Sequence, residues 1–351
     1  MNAARVLDAL AAPLDSARRG ALSAVMRRRA LASVVRRRDV RMPWLATAQV
    51  LALLAVTLVR PVWLFVLGPV VLGVPHLASD VRYLVLRGGV AREVVAVACV
   101  AGAGVAALRV LELAHHAVGE SARLEIALGG AWIAAAVLLG AVERRRAWPL
   151  LGLPVVALAA AAAWRQPMVA RAVLAQGHNV VGVAAWLWLF RGNRRVALAP
   201  VAAIAAGVVV LASGAAIAWT ARAHGLQGFG FDLARVGSSL LPGGSTEGVT
   251  TAALVFVFLQ AVHYAAWLVW IPQDALPGEG TFTFRMTGRA LVRDFGAAGL
   301  GLALAASVAL AGAALLDARA AVGGYMAVAS FHAYLELAML AYFGARGAGP
   351  R

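Results

Sequence analysis

Ten apolar stretches follow one another along the chain, each bounded by arginine, proline or glycine. A helix rises about 1.5 Å per residue, so about 20 apolar residues are needed to cross a hydrocarbon core of about 30 Å. The first and fifth stretches are short, and the other eight are more secure. The pattern predicts an all-α, polytopic membrane bundle of about ten transmembrane helices, at residues 44–59, 62–86, 93–111, 125–142, 149–164, 168–190, 196–219, 248–271, 296–316 and 321–343.

Arginines mark one side of this bundle. If the N-terminus lies inside, the even-numbered helices end at the cytoplasm, and the basic groups lie at these ends. Glu112, Glu120 and Glu125 and the glycine-rich stretch 225–248 then lie in the outer loops. This is the bias expected of cytoplasmic loops, so we predict that both termini are cytoplasmic. The basic groups are Arg82 with Arg87, ERRR at 143–146, RGNRR at 191–195, Arg285 with Arg289 and Arg293, and Arg346.

The first 43 residues form a separate basic segment ahead of a transmembrane domain at 44–345. Apolar turns alternate with arginine clusters in RRGALSAVMRRRALASVVRRR at 18–38, which predicts an amphipathic helix on anionic lipid. A simple basic tail that fixes topology is the alternative. The segment lacks an uninterrupted apolar core before a small-residue cleavage site, so we expect no signal peptide.

Composition narrows the function. The chain of 351 residues is 62% hydrophobic and 14% charged, with a net charge of +16. In a membrane protein this excess of arginine is mainly a topology signal, and we expect no nucleic-acid partner. All 32 basic residues are arginine, which excludes a retinal Schiff base because that bond requires a lysine amine. The single cysteine, Cys99, excludes an intrachain disulfide and a thiolate metal site.

The seven histidines fall into two groups. Three lie at an outer helix end or in an outer loop and are expected to be solvated; they are His115, His116 and His224. The other four lie inside predicted helices two, six, eight and ten, and they are His76, His178, His263 and His332. Counted from the outer helix ends, their depths agree within about 8 Å. Ionisable groups in hydrocarbon need partners, so we predict that these four meet at one functional site.

Acidic and amide side chains accompany the four histidines. Asp80 follows His76 by four residues and Glu336 follows His332 by four, so each carboxylate lies one helical turn along the same face. Such a carboxylate can bind a metal or orient a ligating imidazole, and an ion pair with an arginine such as Arg82 is the alternative. Asn179 and Gln260 add polar groups at a similar depth.

Imidazole and carboxylate without thiolate suit Fe(II), Cu or Zn, and an iron ion with an open position would admit dioxygen. One or two b-type haems between histidine pairs are a second interpretation, which would give an electron carrier. A proton-coupled or metal-coupled transporter with a relay at the membrane midplane is a third. The spacing of the residues leaves all three open.

The motifs around these histidines resemble the Brp/Blh family of bacterial membrane β-carotene 15,15′-dioxygenases. Gly73-Val74-Pro75-His76 with Asp80 is similar to the first signature of that family, although Leu77 stands where the family has glycine. Three shorter segments are similar to its later histidine motifs, with Trp267 where a further histidine would follow. They are Gly177-His178-Asn179, Val262-His263-Tyr264, and Phe331-His332 with Glu336.

This resemblance implies a multi-pass protein of the bacterial inner membrane, with non-haem iron held by transmembrane histidines. Our leading hypothesis is an Fe(II)-dependent oxygenase that acts on a lipophilic polyene from the bilayer, and the resemblance implies cleavage of β-carotene to retinal. His76, His178, His263 and His332 would be the catalytic metal ligands, with Asp80 and Glu336 as further ligands or orienting groups. Aromatic side chains near them would contact the substrate, and these are Tyr264, Trp267 and Tyr334.

Overall fold

The computed structural model describes residues 3–115, 118–190, 197–275 and 283–349. His116 and the predicted cytoplasmic segment RGNRR at 191–195 lie outside these ranges. Within them the chain is helical, apart from two short paired strands and connecting turns. The all-α prediction is therefore confirmed for the described residues.

Fourteen helical segments, α1 to α14, and two strands make up the described chain. The segments are α1 (Ala3–Met26), α2 (Arg29–Arg36), α3 (Arg38–Val59), α4 (Pro61–Leu86), α5 (Arg92–His115), α6 (Val118–Glu143), α7 (Trp148–Arg165), α8 (Pro167–Phe190), α9 (Leu198–Leu211), α10 (Gly214–Arg222), α11 (Leu233–Leu240), α12 (Thr246–Asp274), α13 (Phe284–Leu316) and α14 (Ala318–Arg346). Strands β1 (Gln227–Gly228) and β2 (Phe231–Asp232) pair antiparallel in the α10–α11 connection, with Gln227 opposite Asp232.

The described helices confirm a multi-pass membrane protein. Nine of them are long and apolar enough to cross a membrane, and α9 with α10, bent by 77°, makes a tenth span if the pair is counted as one. Each predicted apolar stretch lies mainly in one of these spans. The orientation of the bundle, with both termini in the cytoplasm, stays a prediction.

Several helices extend beyond their predicted bounds. We expected Glu112, Glu120 and Glu125 in outer loops, but Glu120 lies in the first turn of α6, and Glu112 and Glu125 lie inside α5 and α6. The expectation was wrong because it treated charged residues as helix ends. Both carboxylates pair with Arg171 within the protein, and pairing makes a charge tolerable inside a helix.

The helices that carry the four buried histidines are locally irregular. In α4, π-helical turns at Gly68–Leu72 and Val81–Leu86 flank the regular segment that contains His76. Helices α8 and α12 contain π-helical turns at Trp186–Phe190 and Ala266–Trp270, after His178 and His263. Such turns occur frequently at functional sites, because one extra residue changes the direction of the side chains around it.

Helix α12 lies at the centre of the bundle and α13 at its periphery. In the most apolar window of α12, 67% of residues are buried, compared with none in α13. Large side chains from α12, including Phe256, Phe258 and Trp270, are almost fully enclosed. The histidine on α12 therefore lies in the interior of the bundle.

The N-terminal segment contacts the beginning of α13. Asp15 accepts hydrogen bonds from the backbone N–H groups of Phe284 and Arg285, and Arg289 binds Asp8 with an Nη2–Oδ2 distance of 2.6 Å. These contacts hold α1 against the transmembrane bundle. Its binding to anionic lipid stays a prediction.

Candidate metal centre

The four histidines predicted to meet do converge on one point. The His76 ring lies 4.8 Å from that of His263 and 4.9 Å from that of His332, centroid to centroid. The His178 ring lies 5.2 Å from His263 and 5.0 Å from His332. His76, His178 and His263 are buried and His332 is half-buried. Four helices distant in sequence therefore each contribute one imidazole to one cluster.

The tightest part of the cluster combines two histidines with two carboxylates. The Nε2 atoms of His76 and His263 are 2.9 Å apart. Asp80 Oδ2 lies 3.3 Å from His76 Nε2, on the same helix, and Glu336 Oε1 lies 3.2 Å from His263 Nε2, on a different helix. Asp80 and Glu336 are both completely buried. The expected pairing of Asp80 with its own histidine is present, while Glu336 also reaches across to α12.

The alternative in which Asp80 pairs with Arg82 is wrong. Arg82 instead donates through Nε to Asp294 at 2.7 Å, and Arg87 donates to the same carboxylate at 2.7 Å. The two oxygens of Asp80 accept no hydrogen bond from any group in the described part of the chain. A buried carboxylate that accepts no hydrogen bond is costly in a membrane interior unless it is protonated or a cation lies beside it.

Backbone carbonyl groups orient two of the imidazoles. His178 Nδ1 lies 3.1 Å from the carbonyl oxygen of Leu174, and His332 Nδ1 lies 2.5 Å from that of Ala329. A carbonyl oxygen can only accept, so Nδ1 must carry the proton in both rings. Nε2 is then unprotonated and free to bind a metal. Histidine ligands are commonly fixed by such a contact on the other ring nitrogen.

The donor atoms fit a single divalent cation. One ligand atom from each of His76, His263, His332 and Glu336 lies within 4.8 Å of the others. Two ligands on opposite sides of an ion, each at about 2.1 Å, are about 4.2 Å apart, so a small inward movement would complete the site. Ionised Asp80 and Glu336 together carry two negative charges, which balance one divalent ion. His178 and Asp80 adjoin this group and complete the six predicted residues.

The three aromatic residues predicted to contact a substrate occupy different places. The Tyr264 ring lies 4.8 Å from the ring of His76, and the Trp267 ring lies 6.5 Å from that of His263. Tyr334 lies elsewhere, with its hydroxyl donating to Glu125 Oε1 at 3.3 Å. Tyr264 and Trp267 therefore adjoin the histidine cluster, and Tyr334 belongs to a separate charged group.

Sequence reasoning missed a glycine that makes the cluster possible. A Cβ atom on Gly182 would lie 2.9 Å from His263 Nδ1 and 2.9 Å from Trp267 Nε1, which is closer than real Cβ atoms come. Gly182 is four residues after His178 and therefore faces the same side of α8. This four-residue spacing from His178 was the feature of the sequence that could have identified Gly182. Gly73 also allows a close approach, because the ring of Tyr325 lies 2.5 Å from its ideal Cβ position.

Sequence reasoning also missed a buried group of ion pairs. This group lies near the beginning of α8, whereas the π-helical turn of α8 lies at its end. Arg171 donates through Nη2 to Glu112 at 2.8 Å and to Glu125 at 2.5 Å, and through Nη1 to Glu112 at 3.0 Å. Arg109 lies beside the same two carboxylates, 3.5 Å from Glu112 and 3.6 Å from Glu125. The group joins α5, α6 and α8.

No protein-family model, curated protein or solved structure matches this chain.

Proposed function

We propose that this protein is an integral-membrane, iron-dependent oxygenase that acts on a lipophilic polyene. The observation that carries the proposal is the buried cluster of four histidines and two carboxylates in the interior of a membrane bundle. Such groups are costly in hydrocarbon, and a bound divalent cation offsets that cost by satisfying the imidazole nitrogens and neutralising the carboxylates.

The donor set is compatible with iron, copper and zinc, and the choice of iron rests on the resemblance of the histidine motifs to the Brp/Blh family. Nitrogen and carboxylate oxygen donors without thiolate are suited to Fe(II), and an iron ion that retains an open coordination position activates dioxygen. The chain's own residues would hold the ion and balance its charge through the buried carboxylates Asp80 and Glu336.

The substrate side of the proposal is supported by an apolar cavity of about 370 Å³ beside the histidine segment of α4. Val74, Pro75 and Ala78 line one wall, Leu268 lines another, and the peripheral helix α13 forms the third. Its volume is in the range of small-molecule sites, which are about 300–1,000 Å³. Because α13 lies at the bundle periphery, a lipophilic molecule would reach this cavity from the bilayer.

The finer assignment, cleavage of β-carotene to retinal, rests on the resemblance of the histidine motifs to the Brp/Blh family. Tyr264 and Trp267, the two predicted substrate contacts that adjoin the histidine cluster, are themselves buried in the bundle. Localisation in a bacterial inner membrane rests on the same resemblance.

The haem interpretation is less well supported. The cavity that the histidines line measures about 100 Å³, well below the range of cofactor sites. The Nε2 atoms of His76 and His263 are 2.9 Å apart, which leaves no space for a porphyrin plane between them. Purified protein with a Soret band would restore this interpretation.

Elemental analysis of the detergent-purified protein tests the metal. We expect about one iron per chain in the wild type and strongly reduced iron in His263→Ala and Glu336→Gln. His224→Ala is the matched control, because His224 lies outside the cluster and outside the candidate spans. Zinc or copper in place of iron would overturn the choice of metal, and wild type without any transition metal would overturn the site.

Expression in a β-carotene-accumulating bacterial host tests the substrate. We expect loss of colour and formation of retinal with the wild type and His224→Ala, and unchanged β-carotene with His263→Ala. Unchanged β-carotene with iron-loaded wild type would remove β-carotene as substrate and leave the metal centre in place.

A further inference from the structure

We infer that the bundle contains a water-filled half-channel, which connects the predicted outer surface to the metal centre and brings water and protons there without passing through lipid. This inference rests on a cavity whose lining changes from ion pairs at one end to the histidine cluster at the other. It concerns access to the centre, and it does not depend on the identity of the metal or substrate.

The cavity runs along the beginning of α8. Arg109, Glu125 and Arg171 line its outer end, and His178, His263 and His332 line its inner end. Arg171 precedes His178 by seven residues, which is about 10 Å along a helix. One continuous cavity thus covers the distance from the ion-pair group to the centre.

Exposure decreases in the inward direction. The side chain of Arg109 is 27% exposed, that of Arg171 is 9% exposed and that of Glu125 is 3% exposed. The outer end therefore approaches the protein surface at Arg109, near the end of α5. By the arginine distribution of the loops, this end of α5 faces the outside.

Polar groups near the histidines indicate water rather than lipid. Asn179, Gln260 and Ser330 also line the cavity, and each lies within three residues along the chain of one of its histidines. Asn179 is completely buried, its amide donates to the Ala175 carbonyl oxygen at 3.0 Å, and its Oδ1 accepts no hydrogen bond from the described residues. A buried acceptor beside a polar cavity normally binds water, and the cavity of about 100 Å³ holds a few molecules.

The ion pairs at the outer end form a closure. Arg171 crosses between Glu112 on α5 and Glu125 on α6, so the three helices are joined across the cavity mouth. Two arginines and two glutamates leave the group without net charge. It therefore neither attracts nor repels ions strongly, which suits passage of water and protons.

The cavity proposed above for the substrate differs in chemistry. The cavity between α4, α12 and α13 is lined largely by apolar side chains and opens at the lipid-facing periphery. The protein would then receive its lipophilic substrate from the bilayer and water from the outer compartment by separate routes.

Cysteine accessibility tests the half-channel. The single native cysteine is first replaced by Cys99→Ser, and Ser330→Cys or Ala175→Cys then places one thiol in the polar cavity. A membrane-impermeant cationic methanethiosulfonate is applied to right-side-out and inside-out vesicles. We expect both thiols to react from the outer side only. Ala303→Cys, in the apolar cavity, is the matched control and should react with neither orientation.

Three outcomes would overturn the inference. In the first, neither cavity thiol reacts with the cationic reagent in vesicles, although both react after denaturation. In the second, the thiols react from the cytoplasmic side alone. In the third, they react only with a membrane-permeant maleimide. The last outcome would show that the cavity holds lipid. The two cavity positions are on different helices, so poor folding of one variant leaves the other as the test.

A second measurement addresses the closure. Glu112→Gln removes one charged partner of Arg171 and should raise the rate of thiol labelling about tenfold, as expected for loss of a charge-assisted contact. Glu120→Gln, an exposed glutamate in the first turn of α6, is the matched control and should leave the rate unchanged. Equal rates in both variants would show that the ion pairs do not close the mouth.

Discussion

Replacement of Gly182 by alanine provides the sharpest test of the histidine cluster, because the added methyl group would enter it directly. The new Cβ would lie 2.9 Å from His263 Nδ1 and 2.9 Å from Trp267 Nε1. Neither ring can retreat freely, since His263 and Trp267 are almost completely enclosed. The substitution must therefore displace α8, the His263 ring, or both.

The size of the effect follows from the packing. Inserting a methyl group into a well-packed interior costs about 1–3 kcal/mol. Displacing an imidazole from its metal-binding position lowers metal affinity by about 10-fold to 100-fold, as loss of an orienting contact does. We therefore expect Gly182→Ala to have a lower thermal midpoint and to lose iron to a chelator at a concentration at least about tenfold lower than wild type.

Gly177→Ala is the matched control on the same helix. No atom lies within 4 Å of a Cβ built at Gly177, although this glycine immediately precedes His178. Alanine is favoured over glycine in a helix by about 1 kcal/mol, so this variant should be at least as stable as wild type. The assay is thermal unfolding in detergent together with iron content after chelator titration. The packing argument would be refuted if Gly182→Ala bound the metal as tightly as wild type, or if Gly177→Ala lost as much metal affinity as Gly182→Ala.

Three further predictions follow from the same contacts. Asp80→Asn removes one of the two charges that balance a divalent ion, and chelator titration should show metal affinity lower by about 10-fold to 100-fold; unchanged affinity would mean that Asp80 is neutral in the wild type. The hydrogen bond from Arg289 lowers the pKa of the Asp8 carboxyl below its ordinary value of 3.8, so the α1–α13 contact should persist above that pH and be lost as the pH falls through the lowered pKa. Hydrogen exchange of α1 at decreasing pH measures this, and release near neutral pH would contradict it. Asp294→Asn leaves the buried Arg82 and the half-buried Arg87 without their carboxylate and should cost about 3–5 kcal/mol of unfolding free energy, whereas Arg293→Ala, at a side chain 71% exposed, should cost less than about 1 kcal/mol; equal thermal midpoints would refute this difference.

The sequence predicted the spans well because their signal is local. Length and apolar composition are properties of consecutive residues, and a bilayer admits few structures other than helices of about 20 residues. The same reasoning explains the error at Glu112 and Glu125. A charged residue marks a helix end only if it reaches water. Glu112 and Glu125 instead pair with Arg171, which lies on a helix that is distant in sequence.

The histidine cluster was also largely predictable. Four ionisable residues at one depth in a hydrophobic environment have few favourable arrangements other than a shared site, and the structure brings His76, His178, His263 and His332 together. The pairing of Asp80 with His76 followed from helical periodicity, since residues four apart lie on one face. These inferences needed only the period of the helix and the cost of burying charge.

Only the tertiary structure decided which helices face one another. The contact of Glu336 with His263, the Arg171 ion pairs, and the approach of His263 and Trp267 to Gly182 all join residues far apart in sequence. No local pattern specifies such contacts, because they depend on the packing angles and rotations of whole helices. Thus the sequence by itself determined the membrane class, the spans and the candidate ligands, while packing of the helices determined the geometry of the centre and the cavities that reach it.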